Sequence, residues 1–409
     1  MIPQVFTLPN NIRVIHHCIP NAVAHFGIFI NTGTRDEKRG QHGMAHFIEH
    51  TFFKGTRKRN VFQVLNRLDN VGADLNAFTT KEDTCIYASF LSVYYERVIE
   101  LIHDIGFHSI FPETEIEKEK QVIMDEIRST MDSPSDQIYD DFEDMIFKGH
   151  PLGKNILGTL KSLKKISREK LEHFIKNNYH TDSMVICSVG NIDFKRLLKI
   201  LQKYFGQEGK KSGRKSIHQP LTYIPSTSFL KKKINQVHCV IGGPAYAYED
   251  ARRIPLALLN NMLGGPLMNS RLSLALRERN GLSYQVDSTY TPYTDTGAIA
   301  IYFGTDSPLY EKALSIIHKE LKKLREIKLG KVQLGIIQKQ LKGQLSIANE
   351  SNLSLMFSMG KSLLVQNRFE PIDMIMNRID AVTSVQLQEI ANEIFSPERL
   401  SLLAFIPSE

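Results

Sequence analysis

The chain has 409 residues, enough for two domains with cores of their own. Hydrophobic residues make up 42% and charged residues 23%, a globular balance that excludes a disordered chain, and no apolar run reaches the ~18 residues of a membrane span. The net charge of +7 raises nucleic acid as a partner, yet part of the excess lies in Lys210-Lys211-Ser212-Gly213-Arg214-Lys215 and Lys231-Lys232-Lys233, with no interleaved aromatics and no nucleic-acid motif, so none is expected.

Met1-Ile2-Pro3-Gln4-Val5-Phe6 enters strand-like sequence directly, without a signal core or an Arg-rich leader, so the expected address is the cytoplasm. Strands are expected at 4–7 and 12–18 around a Pro9-Asn10-Asn11 turn, and at 24–30. Helices follow at 43–55 and 61–70, then strands at 73–79 and 83–91. Helices at 93–109, 113–130 and 136–147 precede a strand at 183–189 and a helix at 193–204. Gly206 to Ser216, rich in Gly, Ser and Lys, reads as a linker. Cys18, Cys85, Cys187 and Cys239 are scattered without a Cys-x-x-Cys pair and read as free thiols of a reducing compartment.

The second half repeats the order of the first. Asp83-Thr84 parallels Asp295-Thr296 at an offset of 212, and Tyr94-Tyr95-Glu96-Arg97 parallels Leu309-Tyr310-Glu311-Lys312. An α+β fold follows: two homologous domains of about 200 residues, each a mostly antiparallel sheet with helices on one face. The expected boundaries are 1–205, a linker at 206–227, and 228–409.

The helix at 43–55 carries His46-Phe47-Ile48-Glu49-His50, the inverse of the His-Glu-x-x-His signature of zinc peptidases. His46 and His50 are one helical turn apart and can grip one metal ion. Glu49, three residues after His46, points to the same side, where a carboxylate can act as a general base. A catalytic zinc needs a third protein ligand. The helix at 113–130 offers Glu119, Asp125 and Glu126, and spacing does not choose among them.

These features resemble the pitrilysin/insulinase family of inverted-motif zinc peptidases, closest to the mitochondrial and bacterial processing peptidases. In that family the third ligand is a Glu 76 residues after the second His, and here 126 − 50 = 76 selects Glu126. The resemblance makes Glu49 the base and Glu119, seven residues before Glu126, a supporting carboxylate. Further matches are Gly33-Thr34-Arg35-Asp36-Glu37, Phe53-Lys54-Gly55-Thr56, Leu75-Asn76-Ala77-Phe78-Thr79, His150-Pro151-Leu152-Gly153, Ile156-Leu157-Gly158-Thr159, and Leu276-Arg277-Glu278 with Gly281-Leu282-Ser283-Tyr284. At the offset of 212, the ligand positions fall on Leu258, Met262 and Gln338, so one zinc per chain is expected.

The resemblance implies a zinc endopeptidase acting on extended or unfolded peptides. Substrate would lie along the strand holding Asn76 and Ala77, with Phe53 walling a pocket. Asp136 and Asp140, in a region where relatives read basic residues, imply a preference for basic peptides. Arg277 and Tyr284 would position the substrate from the opposite half of a clamshell. The chain supplies one half, so a homodimer is expected, its active site completed in trans. The alternative is a non-catalytic or partner-dependent subunit of a heteromeric processing-peptidase-like complex. Neither membrane nor nucleic acid is an expected partner.

Overall fold

The structure, a computed structural model, describes residues 2–209 and 221–408. Half of the expected linker, residues 210–220, lies outside the described residues. The expected boundaries differ from the observed units, which are not contiguous in sequence. One unit gathers the residues up to Arg128, those from Lys154 to the linker, and Ile347–Phe369. The other gathers Ser129–Gly153, the residues after the linker up to Ser346, and Glu370 onward.

Among the described residues, the first unit is built on six strands: β1 (Gln4–Thr7), β2 (Arg13–Cys18), β3 (Val23–Ile30), β4 (Asp74–Thr79), β5 (Thr84–Leu91) and β6 (Met184–Gly190). They lie in the order β1-β2-β6-β3-β5-β4, with β2 and β6 parallel and the other neighbours antiparallel. β6 is buried along its whole length, as a strand covered on both faces must be. Its side chains alternate between two cores, as the two-residue period of a strand requires. Ile186 joins Ile28 and Ile86 in a core with Phe47 and Ile48 of the Met44–Thr51 helix, Ile99 and Ile102 of the Tyr95–His108 helix, and Phe174 of the Arg168–Asn178 helix. Val185 and Cys187 face the other way, where Met356, Met359 and Leu363 of the Asn352–Gln366 helix meet Phe29 and Cys85. The sheet thus has a layer of helices on one face, as expected, and one further helix on the other. Arg13 ties that helix down, donating from Nη1 to the Leu363 carbonyl at 2.6 Å.

The second unit has β7 (Thr227–Lys232), β8 (Val237–Ala245), β9 (Val286–Pro292), β10 (Gly297–Thr305) and β11 (Ser401–Pro407) in the order β7-β11-β8-β10-β9. This repeats β2-β6-β3-β5-β4, including the one parallel pair, β7 with β11. The internal repeat is therefore present in the fold, and β1 has no counterpart among the described residues of the second copy. Here too a helix from the other half of the chain covers the second face. Ile138 and Phe142 of the Pro134–Ile146 helix pack with Val240, Leu403 and Phe405. The sequence pattern shows that each helix has an apolar stripe, but not which sheet the stripe will cover.

The positions equivalent to the metal motif have structural tasks in this unit. Leu258 and Met262, on the Arg253–Gly264 helix, are buried in its main core. Gln338 donates from Nε2 to the carbonyls of Ile379 and Val382 at 3.0 and 3.1 Å. Cys85, Cys187 and Cys239 are buried free thiols and Cys18 is partly buried.

Candidate metal centre

The helix bearing the motif runs from Met44 to Thr51, shorter than the expected 43–55. Gly43 stands at φ +81°, which stops helix propagation toward the N-terminus, and Phe52–Lys54 tightens into a 3-10 turn. A Cβ on Gly43 would lie 2.6 Å from the Leu157 carbonyl oxygen, and one on Gly158 (φ +78°) would lie 2.7 Å from the His42 carbonyl oxygen. The two glycines press together, so neither position has room for a side chain. Buried Glu37 supplies the missing cap: Gly43 and Ala45 donate their amides to its carboxylate at 3.0 and 2.9 Å. Arg35 of the same segment pairs with Glu82 at 2.7 Å, fastening it to the loop between β4 and β5.

On this helix the His46 and His50 rings meet edge to face, with centroids 4.6 Å apart. Glu126 approaches from the Glu113–Met131 helix. Its Oε2 is 3.8 Å from His46 Nε2 and 3.5 Å from His50 Nε2. One ligand atom from each of the three lies within 4.8 Å of the others. Zinc bonds of about 2.0–2.2 Å set ligand atoms roughly 3.3–3.6 Å apart, close to both separations from Glu126. Two imidazoles and a carboxylate are the donor set of a catalytic zinc, with a fourth position left for water or substrate.

The choice among the three carboxylates now follows from geometry. Asp125 is exposed and paired with Arg128 at 2.6 Å. Glu119 is buried and directed at the opposite nitrogen of His50, Nδ1, at 3.1 Å. That contact orients the ring and leaves Nε2 facing Glu126, the carboxylate–imidazole arrangement that supports metal ligands. Lys54, four residues after His50, holds the other Glu119 oxygen at 2.7 Å. Neither Lys54 nor Glu37 is among the residues expected at the site from sequence. The one available signal was the spacing of four from His50 to Lys54, which places both on one side of a helix.

The charges are strongly biased. Burial would lower the His50 imidazole, but hydrogen bonds to Glu119 and Glu126 outweigh it and raise His50 to about 9. Burial and the facing His50 lower His46 from its ordinary value. The hydrogen bond from His50 holds Glu126 below the usual carboxylate range. Burial pushes the Glu49 carboxyl up, and Thr79, at the end of β4, partly offsets this.

The other expected residues divide between the units. β4 is the outermost strand of its sheet, with Asn76 exposed and Ala77 half-buried. The Ala77 amide is engaged by Asn76 Oδ1 at 2.8 Å. Phe53 is half-buried and packs against the main core of the first unit. Arg277, Tyr284, Asp136 and Asp140 belong to the second unit. Arg277 ends a π-helical turn at Ser273–Glu278, with Nε 3.4 Å from Glu278. Tyr284 is 91% exposed. Asp136 opens the Pro134–Ile146 helix and accepts from Ser133 Oγ at 2.6 Å, and Asp140 lies one turn later.

Comparison with known proteins agrees with this picture. Residues 13–160 match the Insulinase (Peptidase family M16) domain, and residues 165–341 match the Peptidase M16 inactive domain. The uncharacterised zinc protease YmxG of Bacillus subtilis is 32% identical over 405 residues, covering 98% of both chains. An uncharacterised zinc protease of Rickettsia felis is 32% identical, covering 96% of this chain and 95% of its own. The fold is that of a crystallised protease from Helicobacter pylori, with a TM-score of 0.91 at 19% identity and 99% coverage of each chain. No helix among the described residues is long and apolar enough to cross a membrane. With both domain models matched in order, and a relative similar along nearly the whole chain, the protein belongs to the M16 (insulinase) family of peptidases.

Proposed function

We propose that the protein is a zinc endopeptidase that hydrolyses peptide bonds in extended chains. The convergence of His46, His50 and Glu126, with Glu49 on the same helix, carries this reading. A bound zinc would be held by those three residues and would polarise a peptide carbonyl and acidify water. Glu49 is the proton carrier: its raised affinity for a proton suits a group that takes one from attacking water and returns it to the leaving nitrogen. The outer edge of β4 offers main-chain groups to an extended peptide, which reads little sequence. Asn76 Oδ1 must swing away from the Ala77 amide to admit it.

Arg277 and the exposed Tyr284 would act on the zinc site of a second copy, making the working enzyme a homodimer akin to the processing peptidases. Asp136 and Asp140 would favour basic peptides. The test is cleavage of quenched fluorogenic peptides, basic and neutral, by the wild type and Glu49→Gln, with metal content measured in both. Zinc in both and turnover lowered about 10²–10⁴-fold in Glu49→Gln supports the reading. Equal turnover removes the general base. Mixing His50→Ala with Tyr284→Phe tests the shared site: recovered cleavage supports it, and two inert variants that stay inert when mixed refute it.

A further inference from the structure

Among the described residues a second group of metal-ligand type lies in the first unit, away from the His-x-x-Glu-His helix: His103, His108 and Glu208. His103 and His108 close the Tyr95–His108 helix, and Glu208 follows the 3-10 turn Phe205–Gln207. His103 Nε2 lies 2.8 Å and His108 Nε2 3.7 Å from the same oxygen, Oε1 of Glu208. The two rings meet edge to face, with centroids 5.1 Å apart. One ligand atom from each of the three lies within 4.8 Å of the others, the same limit that the His46–His50–Glu126 group meets.

The surroundings reproduce the support of the first centre. There, His50 turns Nε2 to Glu126 and Nδ1 to buried Glu119, which Lys54 holds. Here, His108 turns Nε2 to Glu208 and Nδ1 to Asp104 Oδ1 at 3.5 Å. Arg59 and Thr56 hold the other Asp104 oxygen, Oδ2. The Asp104 side chain is 1% exposed, and its Oδ1, like His108 Nδ1, has no closer hydrogen-bond partner among the described residues. A histidine–glutamate ion pair needs one imidazole. A second imidazole turned to the same oxygen, with a buried carboxylate behind it, is what a metal ligand needs. The backbone at the site is also fixed: Asn10 Nδ2 donates to the carbonyls of Phe205 and Glu208 at 2.8 and 3.3 Å.

We propose that His103, His108 and Glu208 form a second zinc site, a structural clamp between the end of the Tyr95–His108 helix and residue 208. Three protein ligands leave one position for water. The count expected from the sequence motif was one zinc per chain, and this site makes it two.

The test uses the full chain and zinc itself. The wild type should hold two equivalents after equilibration with buffered zinc, and Glu208→Gln one. His46→Ala/His50→Ala, which lacks the motif ligands, should retain one equivalent and melt several degrees higher with zinc than with chelator. Adding His108→Ala to that variant should abolish both the bound zinc and the shift. Cobalt should give a visible absorption band in the His46→Ala/His50→Ala chain that Glu208→Gln removes. One equivalent in the wild type, a zinc-indifferent melt in His46→Ala/His50→Ala, or two equivalents retained in Glu208→Gln would each overturn the proposal. None of these readouts depends on peptidase activity.

Discussion

Zinc uptake by the metal-free protein at pH 7 is expected to release one proton from His50. With His50 raised to about 9, about 99% of the ring is protonated at pH 7, and Nε2 must lose that proton to bind a metal. His46 and Glu126 are both lowered from their ordinary values and contribute none. Affinity should therefore rise about tenfold from pH 7 to 8 and about fivefold from pH 8 to 9, a total of about 50-fold. The assay is calorimetric zinc titration in buffers of different ionisation enthalpy, using Glu208→Gln to silence the second cluster. Glu119→Gln removes one of the hydrogen bonds that raise His50, while Glu126 remains, so the proton released at pH 7 should fall below that of the wild type. The sign can be checked independently. A folded-state value above the unfolded 6.5 means that the metal-free fold gains stability from His50 below that pH. It loses this contribution as pH rises through about 9, while zinc affinity grows. A heat independent of buffer at pH 7, or an affinity flat between pH 7 and 8, would refute the pairing of His50 with Glu119 and Glu126 as the source of the shift.

Lys54→Met removes the cation holding Glu119 and should weaken zinc binding about 10–100-fold without altering the ligands, read by chelator competition. Gly158→Ala forces a side chain onto the His42 carbonyl at a left-handed position and should cost about 1–3 kcal/mol, read by thermal melting. Leu363→Ala, at 2% exposure, should cost about 2–5 kcal/mol and lower hydrogen-exchange protection in β3 and β6, far away in sequence.

Much of this was legible in the sequence because it is local. The strands of the first half fall within one residue of their expected limits, since each alternation of apolar and polar side chains is a property of the strand itself. The candidate metal ligands were readable for a similar reason. His46, Glu49 and His50 share one helix, and only Glu126 required the resemblance. What stayed hidden depends on tertiary approach. Glu119 and Lys54 are 65 residues apart (119 − 54), and no pattern in either segment announces their pairing. His103 and His108 are five apart, a spacing that puts them on different sides of an ideal helix, and Glu208 comes 100 residues after His108. The Arg168–Asn178 helix escaped because only Leu171 and Phe174 on it are buried, too few to set a period.

The helix laid across the first sheet also sets a clock on synthesis. The last strand of that sheet ends at Gly190, and the covering helix is complete only at Gln366, 176 residues later (366 − 190). At about 5–20 residues per second, a ribosome takes roughly 10–35 s to cross that interval. For that time Ile15, Phe29, Val185 and Val189 present an uncovered apolar face in the cell. The nascent chain is therefore expected to engage chaperones during that interval, which ribosome-bound crosslinking would check. Fragments cut at the repeat boundary would keep that exposed state permanently, so separately expressed halves should aggregate, and soluble, folded halves would contradict this reading.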